Sequence, residues 1–513
     1  MQKKNIGIIL SYILVLAEVA VGMLFTPILL KYMGSSEYGL YKLVVSWVSV
    51  ISVLDFGLGG TITRYVVKYR AEDDIKGEEN FLGIALRIYV FLSVFVVLIG
   101  IIISFILPDI SKSILPEQID RTRIAFLILM LKTALLLLTH AYTGWLTAYE
   151  RFTESKMLAI INIVLRLALV CVLLPICPSV YVVVGVDTLL TVLQLAANIV
   201  ICKKVIPTQI RLKKWDWKLV KEIFNFTVFL FLASVINQFN SNIDSIVLGI
   251  YTTTKIVGLY SCAMQIYTLY SSLSTAIQEV YLPSISKTVF KGADNKTVTE
   301  SLVFPSRLQI YILFLALTGY ILFGKSFFEL WIGKSYNAFE INLCYITGLV
   351  IMVSSTVQLF QNTVTCVLKA KNMMGGRVLI TGISTIVNFV LTMLLVPHYG
   401  TLGAASGTAV SMVFGYTVAA NFYYKNKVGI NVGLYFKKCL GGVWLSALLS
   451  LFIGGLIIML PMYGLFGLII KACLFCGVYA ILLYLIGIGK DEKKIIIQRI
   501  SGFLSGGNKH ESF

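Results

Sequence analysis

The chain has 513 residues, 58% of them apolar and only 13% charged, with a mean hydropathy of +0.87. A soluble domain carries roughly 25% charged residues, so a water-exposed globular fold is excluded and most of this surface must face lipid. The net charge of +18 invites a nucleic-acid reading. The basic residues, however, sit in short connections between apolar runs, the pattern that the positive-inside rule produces in any multispanning protein.

Apolar runs long enough to cross about 30 Å of hydrocarbon recur from end to end. They predict spans near 6–30, 40–62, 81–107, 124–146, 156–175, 179–202, 221–248, 256–281, 305–324, 339–366, 377–396, 401–423, 440–460 and 464–487. The first, from Ile6 to Leu30, is too long for a signal-peptide core and lacks a small-residue cleavage site, so it reads as a span. Between the sixth and seventh lies PTQIRLKKWDWKLVK, where Trp215 and Trp217 among lysines suit a helix lying on the inner leaflet. The tail from Lys490 to Leu504 has the same character. The nine cysteines lie mostly inside apolar runs, with no histidine partner and no paired CxxC modules, so neither a metal nor a disulfide framework is expected.

Orientation follows from the connections. Those on the side of the N-terminus hold thirty-one Lys and Arg, and those on the other side hold seven. This places both termini in the cytoplasm and supports the count of about fourteen spans, because a missed span would scramble the alternation.

The chain also repeats itself. Leu29, Tyr32 and Gly39-Leu40-Tyr41 match Leu248, Tyr251 and Gly258-Leu259-Tyr260 at an offset of 219. Leu146, Ala148, Pro175 and Gly185 match Leu368, Ala370, Pro397 and Gly407 at 222, and Ala196-Ala197-Asn198 matches Ala419-Ala420-Asn421 at 223. Six spans separate the copies, so both have the same orientation, with the substrate path between them. The expected domains are an N-lobe at 1–204 and a cytoplasmic interfacial linker at 205–220. A C-lobe at 221–428, two further spans at 429–489 and a cytoplasmic tail at 490–513 complete the chain.

Several spans carry polar stripes, the inverse of a lipid-facing helix. Span 7 has Ser234, Asn237, Gln238, Ser241 and Ser245 with Asp244 at the edge, and span 8 has Gln265, Thr268, Ser272, Thr275 and Glu279. Span 10 has Ser354, Gln358, Gln361 and Thr365, span 4 has Lys132, Thr139 and Thr143 beside His140, and span 1 has Ser11, Glu18 and Gly22. Single hydroxyls serve helix packing. Four or five polar residues on one stripe exceed that need and point to a water-filled cavity.

Glu18 and Arg166 sit mid-span, and each costs about 2.5–3.5 kcal/mol there unless it meets a partner or water. One reading pairs them and leaves Lys132 alone. The other opens both cations to the lumen. Either way a cationic surplus remains in the first lobe, which suits an anionic diphosphate headgroup. His140 reads as a packing histidine or a proton relay, and Arg64, Arg87 and Lys471 can snorkel to an interface.

The segments FTPILLKYMGSSEYGLYKLVVSW and LDFGLGGTITRYV resemble the opening of Wzx-type polysaccharide flippases of the MOP superfamily. GWLTAYERF, NIDSIVLGIYTTTKIVGLYS and YLPSIS are similar to later signatures of that group. The resemblance covers about residues 5–430. It implies an all-α polytopic membrane protein with two parallel six-helix lobes in a V-shaped arrangement, plus helices 13 and 14. It further implies alternating access on undecaprenyl-diphosphate-linked oligosaccharide in the bacterial cytoplasmic membrane, for O-antigen, capsule or similar assembly. H+ or Na+ would be the coupling ion, and polysaccharide polymerase and glycosyltransferases of the same pathway would be partners. Arg64 and Asp244 are its motif positions here.

Within the superfamily, a lipid II flippase also has fourteen spans, whereas a multidrug–cation antiporter normally stops at twelve and favours an acidic, aromatic pocket. A membrane polymerase or glycosyltransferase is disfavoured. The longest outer connection, Pro108 to Arg123, holds no paired catalytic carboxylates, and the chain has no P-loop, metal-spaced cluster or nucleophile triad. No cofactor is expected. Spans 13 and 14, rich in glycine and outside the repeat, are expected to form an apolar wall for a polyprenyl chain or to pad the second lobe. A reporter fused after Lys494 is expected to read cytoplasmic and one at Asp120 extracytoplasmic; two fusions reading the same side would refute the span count.

Overall fold

The computed structural model describes residues 2–55, 57–208, 215–489 and 492–493, and the helices in it follow the expected spans. The first half holds α1 (Gln2–Ile51), α2 (Leu58–Ala71), α3 (Ile75–Ile110), α4 (Ile119–Ala148), α5 (Phe152–Leu173) and α6 (Val180–Val205). The next elements are α7 (Trp217–Tyr251), α8 (Thr254–Phe290), α9 (Asn295–Ile332), α10 (Ala338–Phe360), α11 (Val364–Ala370) and α12 (Met374–Tyr399). The chain continues through α13 (Thr401–Ser411), α14 (Ala420–Tyr423), α15 (Val432–Leu440), α16 (Val443–Ile458) and α17 (Gly464–Leu482). Eleven helical stretches among the described residues are long and apolar enough to cross a membrane. The first of them, Ala20–Ala71, takes in the end of the first expected span and all of the second, and expected spans 7 and 8 are the 35-residue α7 and 37-residue α8. The fold is that of an all-α polytopic membrane protein.

Hydrocarbon offers no water to stray N–H and C=O groups, which is why only complete helices cross it here. Side chains close several helix starts. Asp74 accepts from Gly77 N at the head of α3, Asp216 from Lys218 N and Leu219 N at α7, and Asn431 from Leu434 N at α15. The sequence marks the spans but not their interruptions. The first two spans form one helix bent at Gly34, whose φ of 79° glycine adopts without a Cβ penalty. The second then breaks into a 3₁₀ turn at Ser52–Asp55 before Gly57, at φ 65°, starts α2. Span 10 is broken by a 3₁₀ turn at Gln361–Thr363, and span 12 contains a π-helical stretch at Met412–Ala419.

The helices form two compact units, Met1–Gln265 with Ser335–Glu340 and Thr385–Thr408, and Ile266–Lys334 with Ile341–Ser384 and Ala409–Phe513. In the first, Tyr38, Phe81, Tyr89 and Phe126 are fully buried, and small residues let helices approach closely. A Cβ on Gly144 would lie 2.5 Å from the Gly59 carbonyl, and beside it Thr63 donates to the Gly144 carbonyl at 2.9 Å. The interfacial segment expected at 207–221 is described only at 207–208 and 215–221. The tail from Lys494 and the side chain of Ser11 lie outside the described residues.

The second unit is organised around Arg307, which the charge count treats as a connection cation but which is buried on α9. Its guanidinium donates to the carbonyls of Lys438 (2.6 Å), Gly441 (3.2 Å) and Gly487 (2.5 Å) and pairs with Glu492 at 2.7 Å. Tyr311 donates to the other Glu492 oxygen at 3.0 Å. One side chain thereby satisfies the orphaned carbonyls at the ends of two helical segments and ties α15 and the end of the last span to α9. Removing one partner of a buried ion pair costs about 3–5 kcal/mol. Arg307→Met is therefore expected to lower the thermal transition in detergent and expose the C-terminal segment to protease. Arg307→Met/Glu492→Gln, which strands no charge, is expected to recover part of that loss.

Candidate functional site

Three helices of the first unit bring their charges together. Arg166 on α5 grips Asp187 on α6 with two donors, Nε to Oδ1 at 2.5 Å and a terminal nitrogen to Oδ2 at 3.1 Å. Lys132 on α4 reaches the same Oδ2 at 3.1 Å. Arg166 also donates to the Tyr41 hydroxyl at 3.1 Å and lies 4.4 Å from the centre of the Phe25 ring, both on α1. The carboxylate is 4% exposed, whereas the Lys132 and Arg166 side chains are 29% and 28% exposed. Two cations around one buried anion leave a formal surplus of one positive charge, presented on the accessible side.

This arrangement corrects the pairing considered from sequence. Arg166 does not meet Glu18, which is exposed on α1, and Lys132 does not stand alone. The partner of both is Asp187, at the head of a polar stripe on α6 that continues through Thr191, Gln194 and Asn198 and that the sequence reading did not pick out. Its own signal was the charge in mid-span, which demands a cation. Periodicity on a single helix does not show which neighbouring helix supplies that cation.

A second buried carboxylate lies in the same unit, and its surroundings differ. Asp244 on α7 is 4% exposed and accepts from Tyr260 (2.6 Å), Thr408 (2.6 Å), Thr392 (3.1 Å) and Asn388 (3.4 Å). The Thr392 and Thr408 hydroxyls also lie 3.0 and 3.3 Å from the Asn388 side-chain oxygen. Neutral donors from α8, α12 and α13 thus surround Asp244. The sequence flagged it as a motif position, but its partners, up to 164 residues away, were not legible.

The repeat offsets read in the sequence place the two clusters at corresponding positions. At an offset of 219, Phe25 corresponds to Asp244 and Tyr41 to Tyr260, and at 222 Arg166 corresponds to Asn388. In each copy these residues touch: Arg166 contacts Tyr41 and Phe25, and Asp244 contacts Tyr260 and Asn388. One repeat fills its centre with a guanidinium, and the other places a carboxylate there.

The remaining candidates are dispersed. His140 Nδ1 lies 3.2 Å from Asp55 Oδ2, and both line a concavity with Gly57, Gly59, Gly60, Thr143 and Thr147. Gln265 accepts from Thr26 at 2.7 Å, and Gln238 accepts from Asn242 one turn on at 3.1 Å. Ser241 and Arg64 are exposed on α7 and α2. In the second unit Gln361 is a packing residue, exchanging amide hydrogen bonds with Asn421 at 2.8 and 3.3 Å. Gln358 keeps a buried side-chain oxygen with no hydrogen-bond partner among the described residues.

The family model described as "Polysaccharide biosynthesis protein" matches residues 3–289. A curated relative, the probable low-salt glycan biosynthesis flippase Agl15 of Haloferax volcanii, is 25% identical over 47% of this chain. That match spans about half, 53%, of the relative's own length. Among solved structures, the lipid II flippase MurJ in an inward closed conformation aligns with a TM-score of 0.73 at 16% identity, over 93% of this chain and 98% of that one. An inward-facing multidrug resistance MATE family transporter of the MOP superfamily aligns at 0.64 and 14% identity, over 80% and 96%. At these identities the structures establish the fold.

Replacing Asp187 strands two cations, so Asp187→Asn is expected to reduce the yield of detergent-stable protein severalfold, in line with the cost of an uncompensated buried charge. Asp187→Asn/Arg166→Gln is expected to restore most of it in fluorescence-detected size exclusion, whereas Glu18→Gln/Arg166→Gln is not expected to improve on Arg166→Gln.

Proposed function

We propose, from the premise that this chain belongs to the polysaccharide biosynthesis protein family, that it flips a polyprenyl-diphosphate-linked oligosaccharide across the cytoplasmic membrane. The observation that carries this reading is the Lys132–Asp187–Arg166 cluster. It offers accessible cationic donors whose geometry is fixed by a buried carboxylate, and a diphosphate is the part of such a substrate that needs them. Undecaprenyl diphosphate is the carrier this reading favours, with both termini cytoplasmic and loading from the inner leaflet.

The polyprenyl chain cannot follow the headgroup, because each methylene moved into water costs about 0.8 kcal/mol. An apolar wall must accompany the wet path. The last two spans would form such a wall: Phe452 and Leu456 on α16, Phe466 on α17 and Leu485 in the turn after it are exposed, and Arg307 on α9 holds the carbonyls of Gly441 and Gly487 that flank the pair.

Asp244 supplies the site for the coupling ion. A carboxylate ringed by hydroxyl and amide groups, with no cation among its hydrogen-bond partners in the described residues, balances its charge by taking up H+ or Na+. The repeat supports this, since the equivalent centre in the other copy holds a covalently fixed cation, Arg166. Transport then alternates between states in which the Asp244 site is loaded and empty.

The test is flipping of a fluorescent polyprenyl-diphosphate oligosaccharide in proteoliposomes, with and without H+ and Na+ gradients. Lys132→Ala/Arg166→Ala/Asp187→Ala, which leaves no stranded charge, is expected to flip at least tenfold more slowly while inserting normally. Asp244→Asn is expected to flip at a slow rate that no longer responds to either gradient. Wild-type flipping by the triple variant would remove the cluster from the headgroup path, and a retained gradient response in Asp244→Asn would remove Asp244 from coupling.

A further inference from the structure

The two Gly-Leu-Tyr triplets that reveal the repeat in the sequence also meet in space. Gly39 and Gly258 pack backbone to backbone. A Cβ on Gly258 would lie 3.1 Å from Gly39 Cα, and one on Gly39 would fall inside the Thr254 carbonyl while lying 3.1 Å from Gly258 N. Neither glycine has a positive φ, so both are needed for space and not for conformation. Around them Ser36 Oγ lies 3.0 Å from Thr254 Oγ1, Gln118 donates to Ser36 at 3.3 Å, and Lys255 pairs with Glu340 at 2.6 Å. All these groups belong to the first unit, and the connections beside them are those poor in Lys and Arg.

Two residues past each glycine, the tyrosine of each triplet touches one ionic cluster. Tyr41 accepts from Arg166 at 3.1 Å, and Tyr260 donates to Asp244 at 2.6 Å. The intervening Leu40 and Leu259 are buried, so each triplet is a short, packed piece of helix with a glycine at one end and a reporter hydroxyl at the other. Helix segments of this kind move as units, because packed interfaces are bistable and not continuously deformable.

We infer that the paired triplets are one coupling device: Gly39 and Gly258 form the outer seal of the transport path, and Tyr41 and Tyr260 transmit the state of the two clusters to it. This rests on the flippase reading for what is carried and on the charge count for which side is outer. The seal itself requires only the contacts described. A binding event at either cluster changes what its tyrosine bonds to, and a small displacement of that tyrosine is shared by a glycine two residues away. The glycine contact tolerates no added atom, so it opens or closes with little intermediate travel.

The experiment uses the full chain, depleted of native cysteines, in vesicles with the outer face exposed. A membrane-impermeant maleimide reports access to Gln265→Cys, below the seal. Gly39→Ala is expected to raise the labelling rate severalfold by wedging the contact apart. In Ser36→Cys/Thr254→Cys, oxidation is expected to abolish labelling and flipping, and dithiothreitol to restore both. Na+ is expected to change the labelling rate in the parent protein and in Tyr41→Phe but not in Tyr260→Phe. Inorganic pyrophosphate is expected to show the opposite dependence on the two tyrosines.

An oxidised cross-link that leaves labelling unchanged, or a Gly39→Ala protein inserted at normal yield with unchanged labelling, would show a static contact and overturn the seal. Unaltered responses in both tyrosine variants would overturn the transmission. Because labelling needs no lipid-linked substrate, failed flipping with an intact labelling response counts against the proposed cargo and not against the device.

Discussion

Every charge placed between lipid-facing helices must find its counter-charge, a proton, an ion or water inside the protein, and Asp187 is where this constraint organises the first unit. Born costs for an isolated ion in a low-dielectric medium reach about 20 kcal/mol, so Arg166, Lys132 and Asp187 make sense only together. Their meeting fixes the relative placement of α4, α5 and α6 and, through Tyr41, of α1. Arg307 plays the matching part in the second unit, with backbone carbonyls taking most of the donors that carboxylates would otherwise accept. A guanidinium suits both places because its planar fork holds several acceptors at once, whereas an ammonium acts as a point charge.

The spans were legible because the hydrocarbon thickness writes itself directly into the length of apolar runs. Helix interruptions were not, since a 3₁₀ or π turn alters only a few hydrogen bonds and leaves composition unchanged. Gly57 at the head of α2 was visible as a glycine but not as a left-handed residue. The candidate site was legible in half its members. Arg166 and Lys132 stood out as ionisable groups within spans and Asp244 as a motif position at the edge of a polar stripe, while Asp187 passed unmarked although Thr191, Gln194 and Asn198 share its helix face. The competing Glu18 pairing arose from depth alone: two opposite charges at similar heights in the membrane need not share a face. Gln361 was misleading for a related reason, since the Asn421 amide that satisfies it lies 60 residues away.

The repeat explains more than the fold. The duplication read in the sequence would supply two equivalent centres, and divergence at single positions would give them opposite character. Replacing the equivalent of Phe25 by Asp244 introduces an anion, and replacing the equivalent of Arg166 by Asn388 withdraws the cation that would have neutralised it. Together they leave one centre whose carboxylate is permanently paired with cations and one whose carboxylate, on the proposed function, is balanced only when a proton or ion arrives.

That asymmetry bears on how a symmetric scaffold can work in one direction. If both centres held fixed ion pairs, neither would distinguish a loaded from an empty state, and no gradient could bias the equilibrium between conformations. If both held bare carboxylates, the cationic surface needed for an anionic headgroup would be gone. On the proposed function, with one of each, the headgroup and the coupling ion would act on different copies of the same architecture, and each would reach the Gly39–Gly258 contact through its own tyrosine. Linkage then requires reciprocity: whatever the ion does to headgroup affinity, the headgroup must do to ion affinity. The shared glycine contact gives that reciprocity a physical location, because neither triplet can move at that point without displacing the other.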